Sequence, residues 1–95
     1  MLPGFVLLNK EEVNQLHFPS LDILHEQSEK EKRRINIDFA TKLGNGAKHK
    51  VLIVFSDDKQ THSVYTTLWG YTNEVVFLKG GLCLPIHRIR SVTLL

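Results

Sequence analysis

The sequence predicts a mainly β protein of the α+β class: a small, strongly bent, five-stranded antiparallel barrel preceded by a long helix. Three observations carry that prediction. Residues 47–95 hold five apolar or alternating runs separated by Asp, Asn and Gly turns. Residues 20–44 hold a charged stretch with apolar residues at helical spacing, ended by Gly44. At 95 residues, 42% of them hydrophobic, the chain is long enough for one modest core, so a single domain is expected over 1–95.

Residues 1–19 read as an arm and a short helix. Phe5, Val6, Leu7 and Leu8 form an apolar, extended run able to add to a sheet edge or cover the open end of the core. Asn9 is placed to cap a helix of about two turns that puts Val13 and Leu16 on one face. Glu11 and Glu12 stand near its N-terminus, where the helix dipole favours negative charge. Pro19 ends it, because the residue before a proline avoids the helical region.

Ser20 is a second N-cap, with Asp22 in the first turn of a main helix running from Leu21 to Leu43. Its apolar positions are Leu21, Leu24, Ile35, Phe39 and Leu43, with Ile23, Ile37 and Ala40 beside them. Ile35, Phe39 and Leu43 step by four and make the face expected to lie on the sheet. The middle, from Glu26 to Arg34, has no apolar residue. Glu26–Lys30 and Glu29–Arg33 have the spacing of helical ion pairs, each worth about 0.2–0.5 kcal/mol. Acids and bases balance there, so the middle reads as a solvated face rather than an anion site. Gly44-Asn45-Gly46 provides the stop. A helix of that length runs roughly 35 Å. Its middle therefore projects past a small barrel, meets another subunit, or breaks near Ile35.

The barrel segment opens with Ala47 to Ser56, whose Val51-Leu-Ile-Val-Phe55 core is apolar on both faces and needs cover on both. Asp57-Asp58-Lys59-Gln60 is a hairpin turn. Thr61 to Tyr71 is a long second strand, with Val64, Thr66 and Leu68 on one face and Tyr65, Thr67, Trp69 and Tyr71 on the other. Gly70 marks a bend or bulge. Glu74–Leu78 and Leu82–Leu84 follow, joined by Lys79-Gly80-Gly81. Pro85 stops ladder pairing, Ile86–Ile89 makes a single helical turn, and Arg90–Leu95 is the closing strand.

This order of helix, strand, Asp turn, long bent strand, short strand, Gly turn and final strand pair resembles the Sm-like barrels. It is closest to the Rof-like branch, whose small members bind the transcription terminator Rho. Leu84-Pro-Ile-His-Arg-Ile-Arg-Ser-Val92 is similar to that branch's closing segment, and Leu78-Lys79-Gly80 is similar to the second Sm motif. The resemblance covers about half the chain and implies a bacterial regulator of transcription termination or an RNA-binding barrel. The Asp-x-Met-Asn signature of the first Sm motif is missing, so no uridine-binding residues are carried over. Thr66-Thr67-Leu68-Trp69, Val76-Phe77-Leu78-Lys79-Gly80-Gly81 and Pro85-Ile86-His87-Arg88-Ile89 also resemble a group of short bacterial proteins of uncharacterised function.

No catalytic signature is present: no Gly-x-Ser-x-Gly, phosphate loop, dinucleotide fingerprint or His-Glu-x-x-His. The expected function is non-catalytic binding, through protein contact or self-association, with no cofactor and no metal. Cys83 reads as a buried small hydrophobe. His17, His25, His49, His62 and His87 lack metal spacing and read as surface or cap residues. A lone cysteine cannot form an intrachain disulfide, which suits a reducing cytoplasm, and no secretory signal or membrane span is apparent.

The net charge of +2 is unevenly placed. Residues 1–46 hold six Lys/Arg and seven Asp/Glu, whereas residues 47–95 hold six and three. The leading binding candidates are therefore Tyr65, Trp69 and Tyr71, with Lys79, Arg88 and Arg90 in the same basic half. Aromatics beside cations can stack the bases of RNA or single-stranded nucleic acid. They also suit a protein interface. The alternative is that the row packs under the helix face of Ile35, Phe39 and Leu43.

Overall fold

The computed structural model describes Val6, Leu7 and residues 10–94. Its elements are β1 (Val6–Leu7), α1 (Lys10–Val13), α2 (Gln27–Ala47), β2 (Lys50–Ser56), β3 (Thr61–Tyr71), β4 (Val75–Leu78), β5 (Leu82–Pro85), a 3₁₀ turn (Ile86–Arg88) and β6 (Ile89–Leu94). The expected strands all form. Asn9, the apolar positions before Val6, Leu8 and the final Leu95 lie outside the described residues.

The sheet runs β5-β4-β3-β2-β6 in antiparallel order, with β1 added in parallel beside β3. The most apolar strand, β2, is interior, which accounts for its composition. Ile53 stands opposite Val64 on one side and Val92 on the other. Val51, Ile53 and Phe55 enter the core, and Leu52 and Val54 on the opposite face are buried too. The expected double cover is present.

Strand β3 serves two partners. Residues 61–67 pair with β2, and Leu68, Gly70 and Tyr71 pair with β4. Trp69 is the extra residue where that register shifts, so the bend expected at Gly70 is a bulge beginning one residue earlier. A second register shift, at Val54/Phe55, makes Arg90 the extra residue in β6.

The predicted barrel does not close. β5 and β6 end the strand order and do not pair. Pro85 finishes β5 without an N–H to donate, and the chain then turns away through the 3₁₀ segment. Helix α2 packs on β3 and β6, and the Arg33 guanidinium donates to the Ile89 carbonyl at 3.0 Å.

Helix α2 departs from expectation in three respects. It begins at Gln27, not near Ser20. Residues 20–26 form an extended strap, because Asp22 turns its carboxylate onto the Leu24 amide and onto Arg33. The helix also continues unbroken through Gly44 to Ala47, and Lys48 ends it in the left-handed conformation at φ 55°. Its inward face is Arg33, Ile37, Ala40 and Gly44. Ile35 and Phe39 point outward, 66% and 51% exposed. The sheet-facing stripe is shifted because Gly44 lies directly on β3. A Cβ there would stand 2.3 Å from the Leu68 carbonyl oxygen. Only a glycine lets the helix approach so closely, and that contact sets the helix's rotation.

The expected helical ion pairs are replaced as well. Arg33 pairs with Asp22 instead of Glu29, and no Glu26–Lys30 ion pair forms among the described residues, Lys30 acting at longer range on Asp22 instead. The one (i, i+4) pair among the described residues is Asp38–Lys42.

Candidate functional site

Two polar clusters and one groove stand out once the core is accounted for. The first cluster is built by the β2–β3 hairpin. Asp57 Oδ1 accepts the Lys59 and Gln60 amides, the hairpin chemistry expected from sequence. Its other oxygen, Oδ2, lies 2.9 Å from His62 Nε2. Both residues are buried, and the His62 ring lies against Phe55 at a centroid distance of 5.4 Å. His62 is therefore not a surface residue. Its phase in β3 with Val64 and Leu68 puts it on the core face, a signal available in the alternation itself. Cys83 departs in the opposite sense: it alternates with buried Leu82 and Leu84, which places it on the exposed face across from Phe77.

Burial of Asp57 opposes ionisation, but the bonds from His62, Gln60 and Lys59 outweigh it and hold the carboxyl at about 2. The folded value lies below the ordinary 3.8, so the ionised form stabilises the fold. That contribution is complete above pH 4 and is lost as pH falls through 3.8 towards 2. Acid titration of unfolding is expected to show a loss of about 2 kcal/mol across that window. The Asp57→Asn variant is expected to be less stable at neutral pH and flatter over the same range. An unchanged acid limb in that variant would reject the assignment.

The second cluster joins distant parts of the chain. Arg88 donates to the carbonyls of Ser56, Asp57 and Leu21 at 3.0, 3.1 and 2.7 Å. His87 Nε2 donates to the Pro19 carbonyl at 2.7 Å, and the Ile23 amide bonds the His87 carbonyl. The strap of residues 17–24 is thereby tied to the turn before β6. Arg88, a candidate binding cation from sequence, thus gives three of its five N–H donors to the protein's own backbone.

The other sequence candidates are dispersed over the surface. Tyr65 is 47% exposed, with Lys50 Nζ 5.7 Å above its ring centroid. Trp69 is 37% exposed at the bulge, and its carbonyl accepts from Asn45 of α2. Lys79 lies exposed in the β4–β5 turn, and Arg90 is exposed at the β6 bulge beside Glu29 and Lys32 of α2. Tyr71 is half-buried and donates its hydroxyl to Asp38 Oδ1 at 2.8 Å. That bond lowers the Asp38 carboxyl and raises the Tyr71 phenol. Tyr65 and Trp69 thus remain open, while Tyr71 is held by the helix.

Tyr71 also lines a groove of about 410 Å³ between α2 and the β3–β4 turn. Its floor holds Ile37 and Ile86, one wall carries Lys30 and Arg34, and the other carries Thr72 and Asn73. Sequence reasoning missed it because its walls come from residues some 40 positions apart.

Among the described residues, no group of His, Cys, Asp and Glu is placed to hold a metal ion, and no helix is long and apolar enough to cross a membrane. Comparison of the chain with protein-family models, with curated proteins and with solved structures gives no match.

Proposed function

We propose that this protein is a non-catalytic interaction module that acts through protein contact, self-association included. One observation carries the reading: Ile35 and Phe39 sit one turn apart on the outward face of α2, both more than half exposed. A solvated helix has no use for such a pair, whereas a docking partner does. The Sm-like or Rof-like resemblance, read from the sequence, is kept as a proposal for the architectural relationship, with a sheet that is open rather than closed into a barrel. A cytoplasmic setting suits the exposed thiol of Cys83. Protein is favoured over nucleic acid as the partner because Arg88 gives three of its five guanidinium N–H groups to backbone carbonyls, which reduces what the basic half offers to phosphates.

The test joins sedimentation velocity over a wide concentration range with a nuclease-treated pull-down, each run on wild type and on the Ile35→Glu/Phe39→Glu variant. Mass that rises with concentration, or a nuclease-resistant partner, is expected for wild type and lost in the variant. Wild-type protein that stays monomeric and captures nothing, or captures only nuclease-sensitive material, would overturn the reading.

A further inference from the structure

The groove between α2 and the β3–β4 turn has an excess of hydrogen-bond donors without partners. Lys30 and Arg34 lie one helical turn apart on its wall; among the described residues neither side chain makes a hydrogen bond or a close ion pair, and each acts on a carboxylate only at longer range, Lys30 on Asp22 and Arg34 on Asp38. Arg33, between them, is neutralised by a two-oxygen contact with Asp22 at 2.8 and 3.0 Å. Asp38 gives one oxygen to the Tyr71 hydroxyl and the other to Lys42, and Arg34 acts on that carboxylate without a direct bond. Across the groove, Thr72 Oγ1 accepts the amides of Glu74 and Val75. Its acceptor capacity is spent and its O–H is left to donate. The Asn73 side-chain amide is likewise unpaired. Against these four donors the groove presents one carboxylate, Glu31.

We infer that this groove binds a small organic anion, its phosphate or carboxylate held by Lys30 and Arg34 and its apolar body laid over the partly exposed Ile86 and Tyr71. The volume falls within the range of about 300–1,000 Å³ typical of small-molecule sites. The floor is apolar and the donors converge from two walls, the combination such sites use to fix orientation. A lone inorganic anion would leave the floor unused, and a neutral apolar body would leave both cations unused. A ligand with both parts is favoured over either part alone. This site is separate from the outward Ile35–Phe39 face and stands or falls without it.

The experiment is an amide-resolved NMR titration of the full chain with four probes: phenyl phosphate, phenylacetate, inorganic phosphate and benzyl alcohol. Saturable shifts at residues 30–37 and 71–73 are expected for phenyl phosphate or phenylacetate, and the stronger of the two reports which head group the site prefers. Either is expected to bind at least about tenfold more tightly than inorganic phosphate or benzyl alcohol. Lys30→Gln/Arg34→Gln is expected to weaken binding about tenfold or more, with an otherwise unchanged spectrum. Lys32→Gln/Lys48→Gln removes the same charge outside the groove and is expected to leave binding unchanged. The inference is overturned if no probe gives saturable shifts in the groove. It is equally overturned if shifts spread over the surface lysines, or if the two double variants weaken binding equally.

Discussion

Gly44→Ala is expected to destabilise the protein by about 3 kcal/mol or more, while Gly46→Ala two positions later stabilises it by up to about 1 kcal/mol. Propensity alone predicts a gain at both, since alanine is the better helix former. The difference lies in what the new methyl meets. At position 44 it would stand 2.3 Å from the Leu68 carbonyl oxygen and 3.1 Å from the Thr67 methyl carbon. The carbonyl belongs to the β3 backbone, so the helix must retreat and loosen Ile37 and Ala40 with it. At position 46 nothing lies within 4 Å. Urea unfolding followed by circular dichroism checks both. Two changes of the same sign would show that the helix does not approach β3 as described.

Asp22→Asn is expected to cost about 3–5 kcal/mol, because it leaves the Arg33 charge, only 6% exposed, without its counterion. Arg33→Met is expected to cost less. The carboxylate left behind is 22% exposed and reaches water, and a methionine can fill the space. The double variant is therefore expected to be more stable than Asp22→Asn alone. Denaturant midpoints of the four proteins form the cycle. Strict additivity would mean that the two residues do not act as a pair.

The strands were legible because their physics is local. Alternation grouped the β3 residues by face without saying which face is inside, and Asp, Asn and Gly fixed the turns. His62 and Cys83 show that the same alternation held more than residue-type preference allowed: phase buries the histidine and exposes the cysteine. The start of α2 was not legible, because Asp22 bonding the amide two residues on is chemically the same signal as an N-cap. What separates the two is Arg33, which holds that carboxylate from eleven residues away.

The inward face of α2 was hidden for a related reason. It is made of an arginine, an isoleucine, an alanine and a glycine, so the four-residue apolar spacing of Ile35, Phe39 and Leu43 points elsewhere. Barrel closure depended on whether β5 and β6 meet, and composition within either strand does not determine that. Of the candidate binding residues, strand phase grouped Tyr65, Trp69 and Tyr71 on one face but left open whether the helix covers it, and the bonding of Arg88 rests on three remote carbonyls.

The knot of bonds at Arg88 and His87 also bears on the order in which the molecule can assemble. Pro19 and Leu21 find their partners 68 and 67 positions away, and Arg33 reaches 56 positions to Ile89. The strap's other partners, Asp58 for His17, Phe55 for Phe18 and Arg33 for Asp22, lie on the β2–β3 hairpin and on α2. Loop closure over such spans opposes early contact, and topologies rich in remote pairs fold slowly. The strap is therefore a clasp that joins the β2–β3 hairpin and α2 to the turn before β6, and most of its fastenings span long stretches of sequence.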